Sequence, residues 1–72
     1  MGQRRYPAMK AAQLLAALLR HGYEIAWQKG SHRKLTCPGR PTIRFCFHDS
    51  DEVGPPMVAA VCKKARLEPG DL

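Results

Sequence analysis

Carboxylates are nearly missing from the first two thirds of the chain. Up to His48 the only one is Glu24; the others, Asp49, Asp51, Glu52, Glu68 and Asp71, all come later. The sequence also lacks any Cys-x-x-Cys spacing, and its three cysteines, Cys37, Cys46 and Cys62, are an odd number. A disulfide framework is therefore not expected, and the thiols read as reduced, in keeping with a cytoplasmic setting. No run approaches the roughly 20 apolar residues that span a bilayer, so no membrane partner is expected. Met1 to Arg20 shows no charged start followed by an apolar core and a cleavage site, so no secretory signal is expected either. With 72 residues there is room for one domain, 1–72, with 1–5 and 69–72 expected as loose ends. Repeats and low-complexity segments are absent.

What remains is strongly basic. The net charge is +6, and Arg20, Lys29, Arg33, Lys34, Arg40 and Arg44 fall within one stretch. Clustered positive charge is the electrostatic footprint of a nucleic-acid binder. The plain alternative is a solvated basic surface without a specific partner.

The apolar periodicity lays out five elements. Ala11, Leu14, Leu15, Leu18 and Leu19 recur at helical spacing, which predicts a helix from about Ala8 to His21, entered through Pro7 and ended by Gly22. Tyr23, Ile25 and Trp27 alternate with polar or small residues, predicting a half-buried strand. Their shared parity assigns Tyr23 and Trp27 to the core rather than to base stacking. Lys29-Gly30-Ser31 reads as a tight turn, and a second strand runs from His32 to Cys37. Pro38-Gly39-Arg40-Pro41 is another turn. A third strand is predicted from Thr42 to His48, with Ile43, Phe45 and Phe47 on one face and Thr42, Arg44, Cys46 and His48 on the other. After an acidic loop, Pro55 and Pro56 launch a second helix, with Val58, Val61, Cys62 and Ala65 on one stripe.

The order α-β-β-β-α implies an α+β domain: a three-stranded antiparallel sheet with both helices on one face. The opposite face then carries Lys34, Arg44, His48 and His32 toward solvent.

Gln28-Lys29-Gly30-Ser31-His32-Arg33-Lys34 is the segment richest in chemistry. It sets one imidazole just after a turn, among three cations. Attack of a ribose 2′-OH on the adjacent phosphate needs a base that titrates near neutrality, and histidine is one. It also needs donors for the charge developing on phosphate. The Gly30 and Ser31 amides, the Ser31 hydroxyl, Lys29 and Lys34 are candidates. Lysines and His48 are candidates for protonating the leaving oxygen. A single histidine in a basic turn can equally be a surface residue or a simple RNA contact. A zinc site drawn from Cys37, Cys46, His48 and His32 lacks standard ligand spacing. The expectation is no metal and no cofactor.

A helix ending near Gly22, the aromatic Tyr23, the run Gln28 to His32, Pro38-Gly39-Arg40, His48 and Val58-x-x-Val61-Cys62-Lys63-Lys64-Ala65-x-Leu67 together resemble the HicA-like mRNA interferase toxins. The resemblance spans about Met9 to Leu67. It implies a double-stranded-RNA-binding-domain-like fold and a toxin that cuts mRNA independently of the ribosome. It further implies that His32 is catalytic and that a HicB-type antitoxin neutralises the protein. Lys29, Ser31, Lys34 and Arg44 are expected to hold phosphates, with Gly30, Arg33 and His48 completing the RNA-binding set. Two features depart from the family pattern: Pro56-Met57-Val58-Ala59 replaces a Gly-Thr-Leu-Arg-like run, and Arg66 stands where glycine is common. The competing functions are a non-catalytic RNA-binding module and a protein-interaction domain that uses the same basic face for an acidic partner.

Overall fold

The structure is a computed structural model that describes residues 5–72. Met1 to Arg4, most of the expected loose N-terminal end, lie outside the described residues. The elements are β1 (Met9–Lys10), α1 (Ala11–Arg20), β2 (Glu24–Lys29), β3 (His32–Cys37), β4 (Arg40–Cys46), β5 (Glu52–Val53), α2 (Pro55–Ala65) and a closing 3-10 turn at Pro69–Asp71. Strands β2, β3 and β4 form one antiparallel sheet in that order, and β1 pairs with β5 in a separate two-stranded ladder. The expected α+β order of two helices around three antiparallel strands is what the chain adopts.

Helix α1 starts three residues later than its apolar periodicity predicts. Met9 and Lys10 are drawn into extended pairing with Val53 and Glu52. The first helical amides then find acceptors in the same loop: Ala11 N–H donates to the Asp51 carbonyl at 2.8 Å and Ala12 N–H to that of Asp49 at 3.2 Å. Gln13 reaches back to accept from the Lys10 amide at 3.2 Å. Exposed donors at the helix start are thereby satisfied. The far end closes as a Schellman motif. Gly22 takes φ +101, Tyr23 N–H reaches the Leu18 carbonyl at 3.1 Å and Gly22 N–H that of Leu19 at 3.3 Å. The Arg40 guanidinium adds a hydrogen bond to the His21 carbonyl at 3.0 Å, so one of the clustered cations serves the helix terminus.

Both sheet turns contain two residues. Between the paired Lys29 and His32, Gly30 takes φ +60 while Ser31 keeps negative φ, the sign pattern of a type II′ turn. Between Cys37 and Arg40, Pro38 precedes Gly39 at φ +78, as a type II turn requires. This tight second turn starts β4 at Arg40, two residues before the expected Thr42. Pro41 is tolerated there because β4 is an edge strand. At its other end β4 stops at Cys46, and His48 falls beyond it.

The core is a single cluster of Leu14, Leu18, Tyr23, Leu35, Ile43, Phe45, Val53, Val58, Cys62 and Leu67 with the alanines Ala11 and Ala65. Helix α2 contributes the Val58, Val61, Cys62 and Ala65 stripe that its sequence predicts. Tyr23 is buried and donates its hydroxyl to the Pro41 carbonyl at 2.9 Å. Phe45 and Phe47 meet edge to face, with ring centroids 5.1 Å apart. Pro69 to Leu72, expected as a loose end, instead dock. Leu72 packs on the core and the His21 Nε2–H donates to the Asp71 carbonyl at 2.9 Å.

Trp27 departs from its assignment to the core. The pairing of β2 with β3 runs Ile25 with Leu35 and then Trp27 with Lys34, so Ala26 is an extra residue in a β-bulge. Directly paired residues in an antiparallel ladder share a face, and one inserted residue reverses the parity of the residues beyond it. Ile25 therefore stays on the helix side with Leu35. Trp27 crosses to the other side, where it is 54% exposed.

Candidate functional site

The face turned away from the helices is a small grid built by the register. Trp27, Lys34 and Arg44 lie side by side across β2, β3 and β4. One step along, Lys29, His32 and Cys46 form a second row. His32 is thus central in its row, next to Lys34 along its own strand and diagonal to Trp27. Diagonal neighbours across a sheet lie roughly 7–8 Å apart at Cα. Trp27, His32, Lys34, Arg44 and Cys46 are among the residues that line a groove of about 520 Å³.

His32 itself is exposed at the start of β3. Its Nδ1 lies 3.3 Å from Cys46 Sγ. This contact engages Nδ1, and no hydrogen bond to Nε2 is formed among the described residues. The turn that precedes it is braced by Gln28, whose side-chain amide donates to the Gly30 carbonyl at 3.3 Å. An added Cβ at Gly30 would meet nothing within 4 Å, so the residue serves the turn's backbone angle rather than a close approach.

The expected site residues divide. His32, Lys34 and Arg44 come together on the open face, with Lys29 opposite His32 and with Gly30 and Ser31 in the adjoining turn. Arg33 points the other way, opposite Phe45. Its side chain is 11% exposed and ion-paired with Asp49 at 3.0 Å, and it also donates to the Phe47 carbonyl at 3.5 Å. Arg33 therefore anchors the segment after β4. His48 is not in the groove. Its amide donates to Asp51 Oδ2 at 2.9 Å and its carbonyl accepts from Asp51 N–H at 2.9 Å, so a turn replaces the predicted strand end.

The grid is electropositive. Among its strand residues Glu24 is the one acid, and it sits at the far end opposite Thr36. Among the described residues the only ion pair is that of Arg33 with Asp49. Lys29, Lys34 and Arg44 are thus available to an anion from solution. Among the described residues no group of three or more histidine, cysteine or acidic side chains is placed to hold a metal. Cys37 borders the core while Cys46 stands on the open face, which separates the cysteines of the zinc arrangement weighed from sequence.

Sequence reasoning missed two members of the site. Trp27 was hidden by the bulge, and a lone Ala26 gives no bulge signal. Cys46 was assigned to the correct face, but its contact with His32 depends on the β3–β4 register.

Comparison with known proteins identifies one family. The family model described as the HicA toxin of bacterial toxin–antitoxin systems matches residues 11–67. No curated protein and no solved structure matches the chain.

Proposed function

Because this chain belongs to the HicA toxin family of bacterial toxin–antitoxin systems, we propose that it is an endoribonuclease that cleaves mRNA in the cytoplasm with His32 as its catalytic residue. The observation that carries this reading is the exposed imidazole at the centre of an electropositive groove, held at Nδ1 by Cys46. A base in that setting can accept the proton of a ribose 2′-OH at Nε2. The freed oxygen attacks the adjacent phosphorus, the bond from phosphorus to the 5′-oxygen breaks, and the products are a 2′,3′-cyclic phosphate and a 5′-hydroxyl. Lys29, Lys34 and Arg44, with the Ser31 hydroxyl and the Gly30 and Ser31 amides, stabilise the charge that develops on the phosphate oxygens. Lys29 and Lys34 flank His32 and are the nearest candidates to protonate the leaving oxygen. His48 is set aside for that role by its position beyond β4.

This route needs no metal and no cofactor. The partner that restrains the toxin is, on this reading, a HicB-type antitoxin whose acidic surface covers the same groove.

His32→Ala is the direct test. The side chain is exposed, so its loss leaves the fold intact by circular dichroism. Cleavage of a labelled RNA in EDTA falls by roughly 10²- to 10⁴-fold. An unchanged rate removes the catalytic assignment and leaves a basic RNA-binding module.

A further inference from the structure

The exposed tryptophan beside His32 has no part in the proton chemistry and is poorly explained by packing. A large aromatic side chain left 54% exposed forgoes most of its hydrophobic stabilisation. The bulge at Ala26 puts it there, and the ring lines the same groove as His32, Lys34 and Arg44. We propose that Trp27 is a base-stacking platform, a nucleobase subsite that requires an unpaired nucleotide next to the phosphate attacked at His32.

Trp27 lies in one row with Lys34 and Arg44, so an aromatic plane adjoins two cations. That combination, stacking surface plus backbone charge, is how single-stranded nucleic acid is held without reading its sequence. A duplex keeps its bases stacked on one another and offers no free face to the indole. The groove therefore favours single-stranded or looped RNA over paired RNA. Because Trp27 is diagonal to His32 rather than opposite it, the stacked base and the reacting phosphate occupy different cells of the grid. The inference rests on the nuclease reading for the identity of the polymer, but its test does not depend on cleavage.

Trp27 is the only tryptophan in the chain, so its fluorescence reports on this one site. The probe is an oligothymidylate of deoxyribonucleotides, which binds without being cut because it has no 2′-OH. An abasic phosphodiester of equal length and charge is the control. Titrating the full-length protein, the oligothymidylate quenches the tryptophan, while the abasic chain binds more weakly and does not. By anisotropy of a labelled probe, Trp27→Ala weakens oligothymidylate binding by roughly five- to a hundredfold. It leaves abasic binding unchanged, and Trp27→Phe retains most of the affinity. Equal affinity for the two chains, or no loss in Trp27→Ala, overturns the subsite. Absence of quenching by either chain also overturns it, and would point to Trp27 as a protein contact. Base-dependent quenching with no cleavage of RNA would instead sink the nuclease reading alone. Cleavage lost in His32→Ala but indifferent to Trp27 would sink only the stacking role.

Discussion

Two neighbours set the environment of the imidazole at position 32: the Cys46 thiol at one nitrogen and the Lys34 ammonium two residues along the strand. The three thiols differ sharply in setting. Cys46 is exposed, Cys37 is half-buried and Cys62 is buried. Burial pushes the Cys62 thiol above its ordinary value of 9.0, and the nearby Asp71 charge pushes it the same way. Thiolate is the reactive form, so a raised pKa slows alkylation. With iodoacetamide near neutral pH, Cys46 is expected to react first and Cys62 last, as read by peptide mass mapping. Modification of Cys46 should also depress cleavage, since it crowds His32. Tyr23 shifts upward for a related reason, chiefly burial, with Cys37 adding to it. Both groups are held in their neutral forms by the fold. Their contribution is complete below the ordinary values of 9.0 and 10.0 and is lost as pH rises beyond them. Melting temperature should therefore fall on the alkaline side from about pH 9, while a melting temperature flat to pH 11 would contradict the assignment. At this scale the sequence was informative where alternation was regular: His32, Lys34 and Arg44 share a face as their spacing predicts. It misplaced Trp27 in the core, because the choice to bulge at Ala26 is made by cross-strand packing that no local pattern records.

Helix ends carry the clearest consequences at the scale of elements. Gly22 closes α1 at φ +101, and an added Cβ would sit 3.4 Å from Cys37 Sγ. Gly22→Ala should cost about 1–2 kcal/mol from the left-handed backbone alone. Helix α2 closes with the same pair of bonds, Leu67 N–H to the Cys62 carbonyl at 2.8 Å and Arg66 N–H to that of Lys63 at 3.3 Å. Its left-handed residue is Arg66, at φ 58, a conformation that favours glycine. Arg66→Gly should therefore stabilise the protein by about 1 kcal/mol. In a domain of this size that raises the melting temperature by about 5 °C, and no rise would show the strain to be relieved elsewhere. The helix stripes and both glycine turns could be read in the sequence, since each depends on residues close along the chain. The pairing of β1 with β5 could not. It joins two dipeptides some forty residues apart, and neither shows a period. That pairing moved the start of α1, the two-residue turn after Cys37 moved the start of β4, and the turn closed by Asp51 took His48 out of the strand.

For the molecule as a whole, the sheet divides labour between its faces. One face buries Leu35, Ile43 and Phe45 under the helices, and the other presents Lys29, Lys34 and Arg44 around His32. On the proposed reading the net charge of +6 speeds encounter with RNA, while the open face has three cations, Lys29, Lys34 and Arg44, to engage phosphate. If each neutralises one phosphate, log affinity for single-stranded RNA should fall with log salt at a slope of about −2. Lys34→Ala should reduce that slope by about 0.7, measured with His32→Ala as background to prevent cleavage. Among the described residues no helix is long and apolar enough to cross a membrane.

The most direct measurement uses an RNA oligonucleotide and its twin bearing a single 2′-deoxyribose at the mapped cleavage position, incubated with the protein in EDTA. The account predicts that the first is cut to fragments ending in a 2′,3′-cyclic phosphate and the second is spared at that position. Equal cutting of both at that bond would show that the neighbouring hydroxyl is not the nucleophile and would contradict the role given to His32.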